Sequence, residues 1–430
     1  MAGVFCPAYN DENMDSLKVA VISKTDAGGG GASRVAADLS RLLNQSEDII
    51  ADHWVSYAKN DRMPYMKDLH GGKLLQTVQK GFRLLSRVVG YPDYLTPELF
   101  IHLLFKDKDY DIYHLHDIST ALSPLAVSWL SGQKPLVWTF HDCSPFTGGC
   151  IFPMDCQNYL TGCQDCPQLD VWPMFTRLDF TGRIQKHKHN LVRRNSIRVI
   201  APSAWMAQET VKSGMLSSLP DVINYGVDTD RFVNHDKRKI RRELGLPDHR
   251  DIILLSAWSL HDHRKGLAYA VETISMLKSD PLVLMVGDAD TETRNVFDRF
   301  ETCITGRLND DRKLSGYYAA ADVFLFPTLG DNFPNVVLET MACGTPCVAF
   351  NVGGVGEMIK DNITGYLVDK YDIDGLYTRV SQLLKDENLR EGMAQNCRKM
   401  VIDKFSHSVF VDSHINLYHQ VLQQHRNAGQ

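Results

Sequence analysis

Eight short apolar runs constrain this chain more than any other feature. Each is closed by glycine or polar residues and followed by a helical pattern. KVAVIS (18–23), DIYHLHD (111–117), PLVWTFHD (135–142) and IRVIAPSAWM (197–206) come first. After INYGVDTDRF (223–232) the grammar restarts with DIILLSAWS (251–259), PLVLMVGD (281–288), ADVFLFPT (321–328) and TPCVAFN (345–351). Strands alternating with helices indicate a parallel, doubly wound α/β sheet. The restart divides the chain into two such halves, residues 1–206 and 236–405, with a linker at 207–235. A last helix, 406–430, starts at Ser406, a suitable N-cap, and is expected to pack back toward the first half. The 430 residues leave room for two or three domains at about 150 residues each.

In open α/β sheets, ligands bind beyond the carboxyl ends of the strands. The residues to weigh therefore follow each run. GDNFPNVVLETMACGTPCVAF (330–350) is the most informative. Pro334 suits the start of a helix, where a missing N–H costs nothing, and Gly344 with Pro346 stops it. Glu339 then lies mid-helix among Val336, Val337, Leu338 and Met341, where a carboxylate is costly to desolvate unless something hydrogen-bonds it. The backbone of Asn332, Phe333, Pro334 and Asn335 sits at the helix N-terminus, a ready anion site, with Asp331 just ahead.

Other segments read as follows. Gly28 to Gly31 open the first helix, and glycines such as Gly30 and Gly31 let a backbone approach a phosphate or sugar closely. No Gly-Lys-Ser/Thr follows, so this is not a P-loop, and Ser33 spoils a dinucleotide fingerprint. A flexible turn is the bland alternative. Arg34 serves equally as a surface residue or a ligand contact. Arg264 and Lys265, before Gly266, suit a diphosphate, or are a solvated basic pair. His141 ends its strand and is placed to orient or protonate a substrate, or is structural. His114 and His116 are taken to face opposite sides of their strand. Cys150, Cys156, Cys163 and Cys166 form C-x5-C-x6-C-x2-C. That pattern suits a structural zinc with four thiolates; reduced thiols packing a loop, or disulfides in the isolated protein, would use the same residues. In 73–90, Leu74, Leu75, Val78, Phe82, Leu85 and Val89 fall on one face and Lys80, Arg83 and Arg87 elsewhere. This fits a helix of the core, and also one that touches anionic lipid.

Net charge of −6 argues against a broad nucleic-acid footprint. No apolar run reaches the length of about 18 residues that a membrane span needs. The first 18 residues carry acids and lack an apolar core, which argues against a signal peptide. Ten cysteines then point to a reducing cytoplasm.

With these residues in view, the chain resembles the retaining glycosyltransferases of family 4, of two-domain GT-B architecture. The resemblance covers nearly the whole chain and is densest at 251–368. The family's E-x7-E appears as Asp331-x7-Glu339. GGASRVAADL, INYGVDTDRF, VLETMACGTPCVAFNVGGVGEMI and TGYLV are similar to its motifs. The NFPN insert and HDCSPFTGGC with its cysteines resemble a subgroup that builds bacterial surface polysaccharides. The resemblance implies a nucleotide diphosphate sugar donor and transfer to a glycan or lipid-linked acceptor at the inner membrane face. Glu339 would bind ribose and Asp331 the donor sugar. The amides of 332–335 with Lys265 and Arg264 would hold the diphosphate, and His141 would sit near the reacting sugar. No carboxylate triad for a catalytic metal appears. The sequence departs from the family in having Asp331 for Glu, and Ala257-Trp258 where Gly-Arg is usual. A non-hydrolysing sugar-nucleotide epimerase and a sugar-nucleotide-binding scaffold are the rival readings.

Overall fold

The computed structural model describes residues 16–58, 63–70, 72–91, 105, 108–119 and 121–428. Residues 1–15, most of the acidic N-terminal stretch, lie outside them. The first sheet contains β1 (Leu17–Thr25), β2 (Ile49–Tyr57), β3 (Met66–Asp68), β4 (Ile112–Leu115), β5 (Leu136–Thr139), β6 (Arg198–Ala201) and β7 (Asp221–Val222). Its order is β3-β2-β1-β4-β5-β6-β7, and each neighbouring pair is parallel. The second contains β8 (Ile252–Ser259), β9 (Leu282–Asp288), β10 (Thr302–Gly306), β11 (Val323–Phe326), β12 (Cys347–Phe350) and β13 (Gly365–Val368). Its order is β10-β9-β8-β11-β12-β13, again parallel throughout.

Each sheet reverses its winding once, between β1 and β4 and between β8 and β11. Side chains from both faces are buried: β4, β5, β11 and β12 have no exposed residue. Such strands need helices on each side, which accounts for their unbroken apolar runs. β3, β7 and β10 lie in stretches that the apolar-run reading passed over. They are edge strands or their neighbours, short or only half-buried, so they need no apolar run.

The first domain extends past the expected boundary at 206. The helix Ala204–Lys212 and β7 both belong to it, and the crossing falls after β7. There Val227 N–H donates to the Phe405 carbonyl at 2.8 Å and the Val227 carbonyl accepts from His407 N–H at 3.2 Å. These bonds splice the linker into the junction between helix Glu387–Phe405 and the last helix, His407–Ala428. That last helix runs onto the first domain, where Tyr418 Oη meets His114 Nδ1 at 2.7 Å.

β11 carries the loop that matters most, and a buried ionic cluster fixes its start. Asp322 accepts from Arg241 Nη2 at 2.7 Å, Lys237 Nζ at 3.0 Å and Ile252 N–H at 2.8 Å. Burial opposes its ionisation, but Lys237 and Arg241 outweigh that and hold the carboxyl below its usual range. Arg241 is itself buried. Asp322→Ala would strand that guanidinium, so chemical denaturation should show a loss of about 3–5 kcal/mol. A loss within the surface-residue range of about 0.5 kcal/mol would refute the role of this cluster.

Candidate functional site

Two loops at the carboxyl ends of β8 and β11 form one lip of a cleft. After β8 the chain makes a short 3-10 turn, His263–Lys265, then starts a helix at Leu267. Gly266 between them has φ 67°, and a Cβ there would stand 1.9 Å from the Pro327 carbonyl oxygen. Only glycine allows this approach. The second loop is stitched to the first: Leu329 N–H donates to the Arg264 carbonyl at 2.7 Å, and Thr328 Oγ1 lies 3.0 Å from the same oxygen. Lys265 Nζ grips both oxygens of Asp331, at 3.0 and 2.8 Å, and Thr328 Oγ1 donates to the same carboxylate at 2.6 Å. Arg264 pairs with Asp262 at 2.8 Å and reaches toward the Gly330 carbonyl at 3.4 Å.

The helix Asn335–Ala342 follows, with Pro334 at its N-cap. Among the described residues, no protein acceptor engages the N–H groups of Asn332, Phe333, Asn335 or Val336. Glu339, one turn in, is 6% exposed. Burial raises its pKa, and Arg34 of the first domain partly offsets that. The two line one cavity with Asp38, Arg231, Asp311 and Asn335. Arg34 donates to Asp311 at 2.8 Å. Burial works against its charge, and Glu339, Asp311 and Asp38 outweigh it. Asn335 Oδ1 is buried there without a partner.

The Gly-rich loop forms the opposing lip. Ala27–Gly29 is a 3-10 turn whose Gly28 N–H is capped by Asp26 at 3.0 Å. Gly30, at φ 110°, turns the chain into the helix Gly31–Leu43. A Cβ on Gly31 would lie 3.9 Å from Asn335 Nδ2, so the two lips nearly meet. Beyond Arg34 the cavity opens into a cleft of about 360 Å³ between Gly28 and the second domain's Trp258, Leu308 and Asn309. The sequence reading passed over Asp311, Leu308 and Asn309, and met Arg231 and Trp258 only as parts of INYGVDTDRF and Ala257-Trp258 without weighing them as site residues. Asp311, Leu308 and Asn309 follow no apolar run that the reading recognised, although Asp310-Asp311 does look like a helix start.

Three expected site residues turn inward. Phe333 is buried, its ring 5.7 Å from Tyr225 and from Phe405, so only its backbone faces the cleft loop. The Asn332 side chain straps the domains together. Its Oδ1 accepts from Ser203 Oγ at 2.6 Å, and its Nδ2 donates to the His141 carbonyl at 3.1 Å. His141 has protein partners on both ring nitrogens: Tyr225 Oη at 2.5 Å on Nδ1 and His116 Nδ1 at 2.9 Å on Nε2. Burial, then His414, lowers its pKa to about 3, so it is neutral at pH 7 and not an acid. His114 and His116 do not face opposite sides, because residues two apart share a face; their rings lie 4.2 Å apart. The neighbouring Asp142 went unweighed in the sequence. Burial, then Asp117, pushes its carboxyl up to about 6.

Cys150, Cys156, Cys163 and Cys166 are unpaired thiols lining one small cavity. Gly148 N–H donates to Cys163 Sγ at 3.2 Å. Among the described residues, no three His, Cys, Asp or Glu side chains are drawn close enough to form a metal group. The loop also carries Phe152, which stacks on Trp205 at 5.2 Å and packs against Gly330 of the second domain.

Residues 29–231 match the model of Glycosyltransferase Family 4, and residues 236–400 that of Glycosyl transferases group 1. Both halves of the chain are glycosyltransferase-family domains. N-acetyl-alpha-D-glucosaminyl L-malate synthase of Bacillus anthracis is 27% identical over 208 residues, 47% of this chain and 54% of that protein. A D-inositol 3-phosphate glycosyltransferase from Mycobacterium sp. (strain KMS) is 30% identical over 179 residues, 38% of this chain and 39% of that one. The matched stretches thus span about half or less of these relatives. Among solved structures, sucrose-phosphate synthase from Thermosynechococcus elongatus superposes with a TM-score of 0.70 at 18% identity, covering 95% of this chain and 100% of that one. HepE of Anabaena in complex with UDP-glucose gives 0.67 at 16% identity, with the same coverage. The fold is GT-B, two Rossmann-like domains facing a cleft.

The buried imidazoles carry a pH signature. His414 is lowered to about 4, by burial; it sits 5.6 Å from the His114 ring. A base with a depressed folded pKa stabilises the fold above its unfolded value and loses that stability as pH falls. Melting temperature should therefore drop between pH 6.5 and about 4, and His414→Leu should make the drop shallower. Thermal melts across that range check it; equal steepness in the variant would contradict it.

Proposed function

We propose that this protein transfers a sugar from a nucleotide diphosphate sugar to an acceptor hydroxyl, with retention of anomeric configuration, in the building of a polysaccharide or glycan. The observation that carries the reading is Glu339. It is a carboxylate at a helix start, buried, set against a cation from the other domain, and lining a cavity that opens into the cleft. Burial keeps its pKa raised even with Arg34 and Tyr318 beside it, so it gains from further hydrogen bonds, and ribose hydroxyls supply that match. Asn335 Oδ1 offers a second acceptor to the same ribose. The amides of Asn332, Phe333 and Asn335 face the diphosphate, where a helix N-terminus favours negative charge.

Lys265 and Asp331 then have separable roles. Their ion pair neutralises both. A donor displaces that pair: its phosphate takes Lys265 and its sugar hydroxyls take Asp331. Leaving-group charge grows in the transition state, so Lys265, Arg264 and the helix amides assist departure. His141, neutral and held on both sides, shapes the sugar subsite through its ring face and carbonyl rather than by protonation. Anabaena HepE, crystallised with UDP-glucose on the same fold, supports the donor class. A capsular polysaccharide glycosyltransferase of Staphylococcus aureus, 32% identical over 108 residues, supports the pathway class.

Isothermal titration with a panel of nucleoside diphosphates tests this. Glu339→Gln should weaken the preferred nucleotide by about 1–3 kcal/mol, the scale of a charge-assisted hydrogen bond. Equal affinity in the variant would remove the ribose role. We also propose that Cys150, Cys156, Cys163 and Cys166 hold a structural zinc, with Gly148 N–H steadying one thiolate. The C-x5-C-x6-C-x2-C spacing carries this proposal; the four thiols line one cavity but are not drawn into a metal group there. Elemental analysis of protein purified without chelator should find about one zinc per chain; none would leave packing as their role.

A further inference from the structure

The helix Lys73–Val88 is turned inside out. It follows β3 at the edge of the first sheet. Gln79, Arg83 and Ser86 face the protein and are buried. Arg83 Nη1 donates to Tyr57 Oη at 2.6 Å, and its guanidinium lies 5.7 Å from the Tyr57 ring centre. The outward face carries Leu74, Val78, Phe82, Leu84, Leu85 and Val88. Of these, Leu74 is 78% exposed, Val88 67% and Leu84 65%. A surface helix ordinarily buries its apolar stripe. The expected core face, Leu74 to Leu85, is instead the solvent face. Single exposed leucines are unremarkable, but a contiguous strip marks a docking surface.

Charge decides what docks. Between His70 and Pro92 there is no Asp or Glu, whereas Lys73, Lys80, Arg83 and Arg87 are present. Arg83 is committed inward. Lys80 and Arg87, two helical turns apart, flank one edge of the apolar strip. A second copy of this chain meeting the strip about a two-fold axis would set these cations against themselves. An anionic bilayer meets both demands: acyl chains for the leucines and headgroups for the cations.

We propose that Lys73–Val88 lies flat on an anionic membrane surface and holds the first domain against it. Tyr57, on which the helix packs, is the last residue of β2. The docked face is therefore at the carboxyl end of the strands, the end where the cleft opens. An acceptor anchored in that bilayer would be presented to the first domain's side of the cleft. The docking stands on the helix alone and does not depend on the donor chemistry.

The test uses the full chain and sedimentation with vesicles of equal parts phosphatidylglycerol and phosphatidylcholine at low salt. The protein should co-sediment with these and not with pure phosphatidylcholine, and added salt should release it. Lys80→Glu with Arg87→Glu, and separately Leu74→Ser with Leu84→Ser and Val88→Ser, should each cut binding about tenfold or more. Both variants should keep the wild-type melting temperature and its rise with nucleoside diphosphate, since none of these side chains is buried and all lie outside the cleft. Wild type that fails to sediment with the anionic vesicles overturns the proposal, as does equal binding to neutral ones. So would light scattering that finds a dimer which the serine variant dissolves, because a second copy would then cover the strip.

Discussion

A carboxylate kept nearly dry between two domains has to be matched by charge from across the gap. Glu339 belongs to the second domain and Arg34 to the first, and they share one cavity. Arg34 bonds Asp311 of the second domain and Asp38 of its own, while Glu339 acts on it through space, so two carboxylates of the far domain favour the cation. The pairing draws the Gly-rich loop toward the start of helix Asn335–Ala342. Further bonds follow along the same seam. Glu357 accepts from Ala204 and Trp205 N–H at 2.8 and 2.7 Å, capping a first-domain helix from the second. Lys370 reaches Asp155 at 2.9 Å. Exposed pairs such as this last one contribute little on their own. Their sum, with Phe152 wedged against Gly330, describes a closed cleft.

The loops after β8 and β11 are occupied by their own protein, in part through bonds that cross between the domains. Lys265 and Asp331 satisfy each other, and Asn332 is spent on Ser203 and the His141 carbonyl. A ligand that enters here exchanges one set of partners for another rather than filling bare charges. The donor proposed above carries both a phosphate and hydroxyls, and displacing only one partner would leave the other unpaired and partly buried.

The first domain has a different logic. Its histidines, His114, His116, His141 and His414, form a contiguous stack whose members are kept neutral by burial. Tyr225 from the linker and Tyr418 from the last helix tie this stack to the parts of the chain that cross between domains. The stack reads as a joint, which fits a histidine held on both nitrogens better than one free to titrate. On the outer side of the same domain, the helix Lys73–Val88 keeps polar groups inward and leucines outward. The periodicity alone specified a two-faced helix but left open whether its apolar face met the core or lipid.

Much of this was legible in the residues. The apolar runs specified buried parallel strands, because a strand covered on both faces cannot alternate. The Pro-to-Gly span around Glu339 specified a helix with a desolvated carboxylate, and Asp331, Lys265 and the two loops were each placed at strand ends. Local chemistry determines such features. The sequence did not reveal which side chains the loops would spend on one another. Phe333, Asn332 and His141 turn inward because Tyr225, Ser203 and His116 arrive from elements distant in the chain. Arg34 becomes a site residue only because the domains close on it, and the outward face of 73–88 is settled by Tyr57 claiming Arg83. Strand order did the rest: both winding reversals, at β1/β4 and β8/β11, bring loops far apart in sequence to the same cleft, and contacts at that distance leave no periodicity to read.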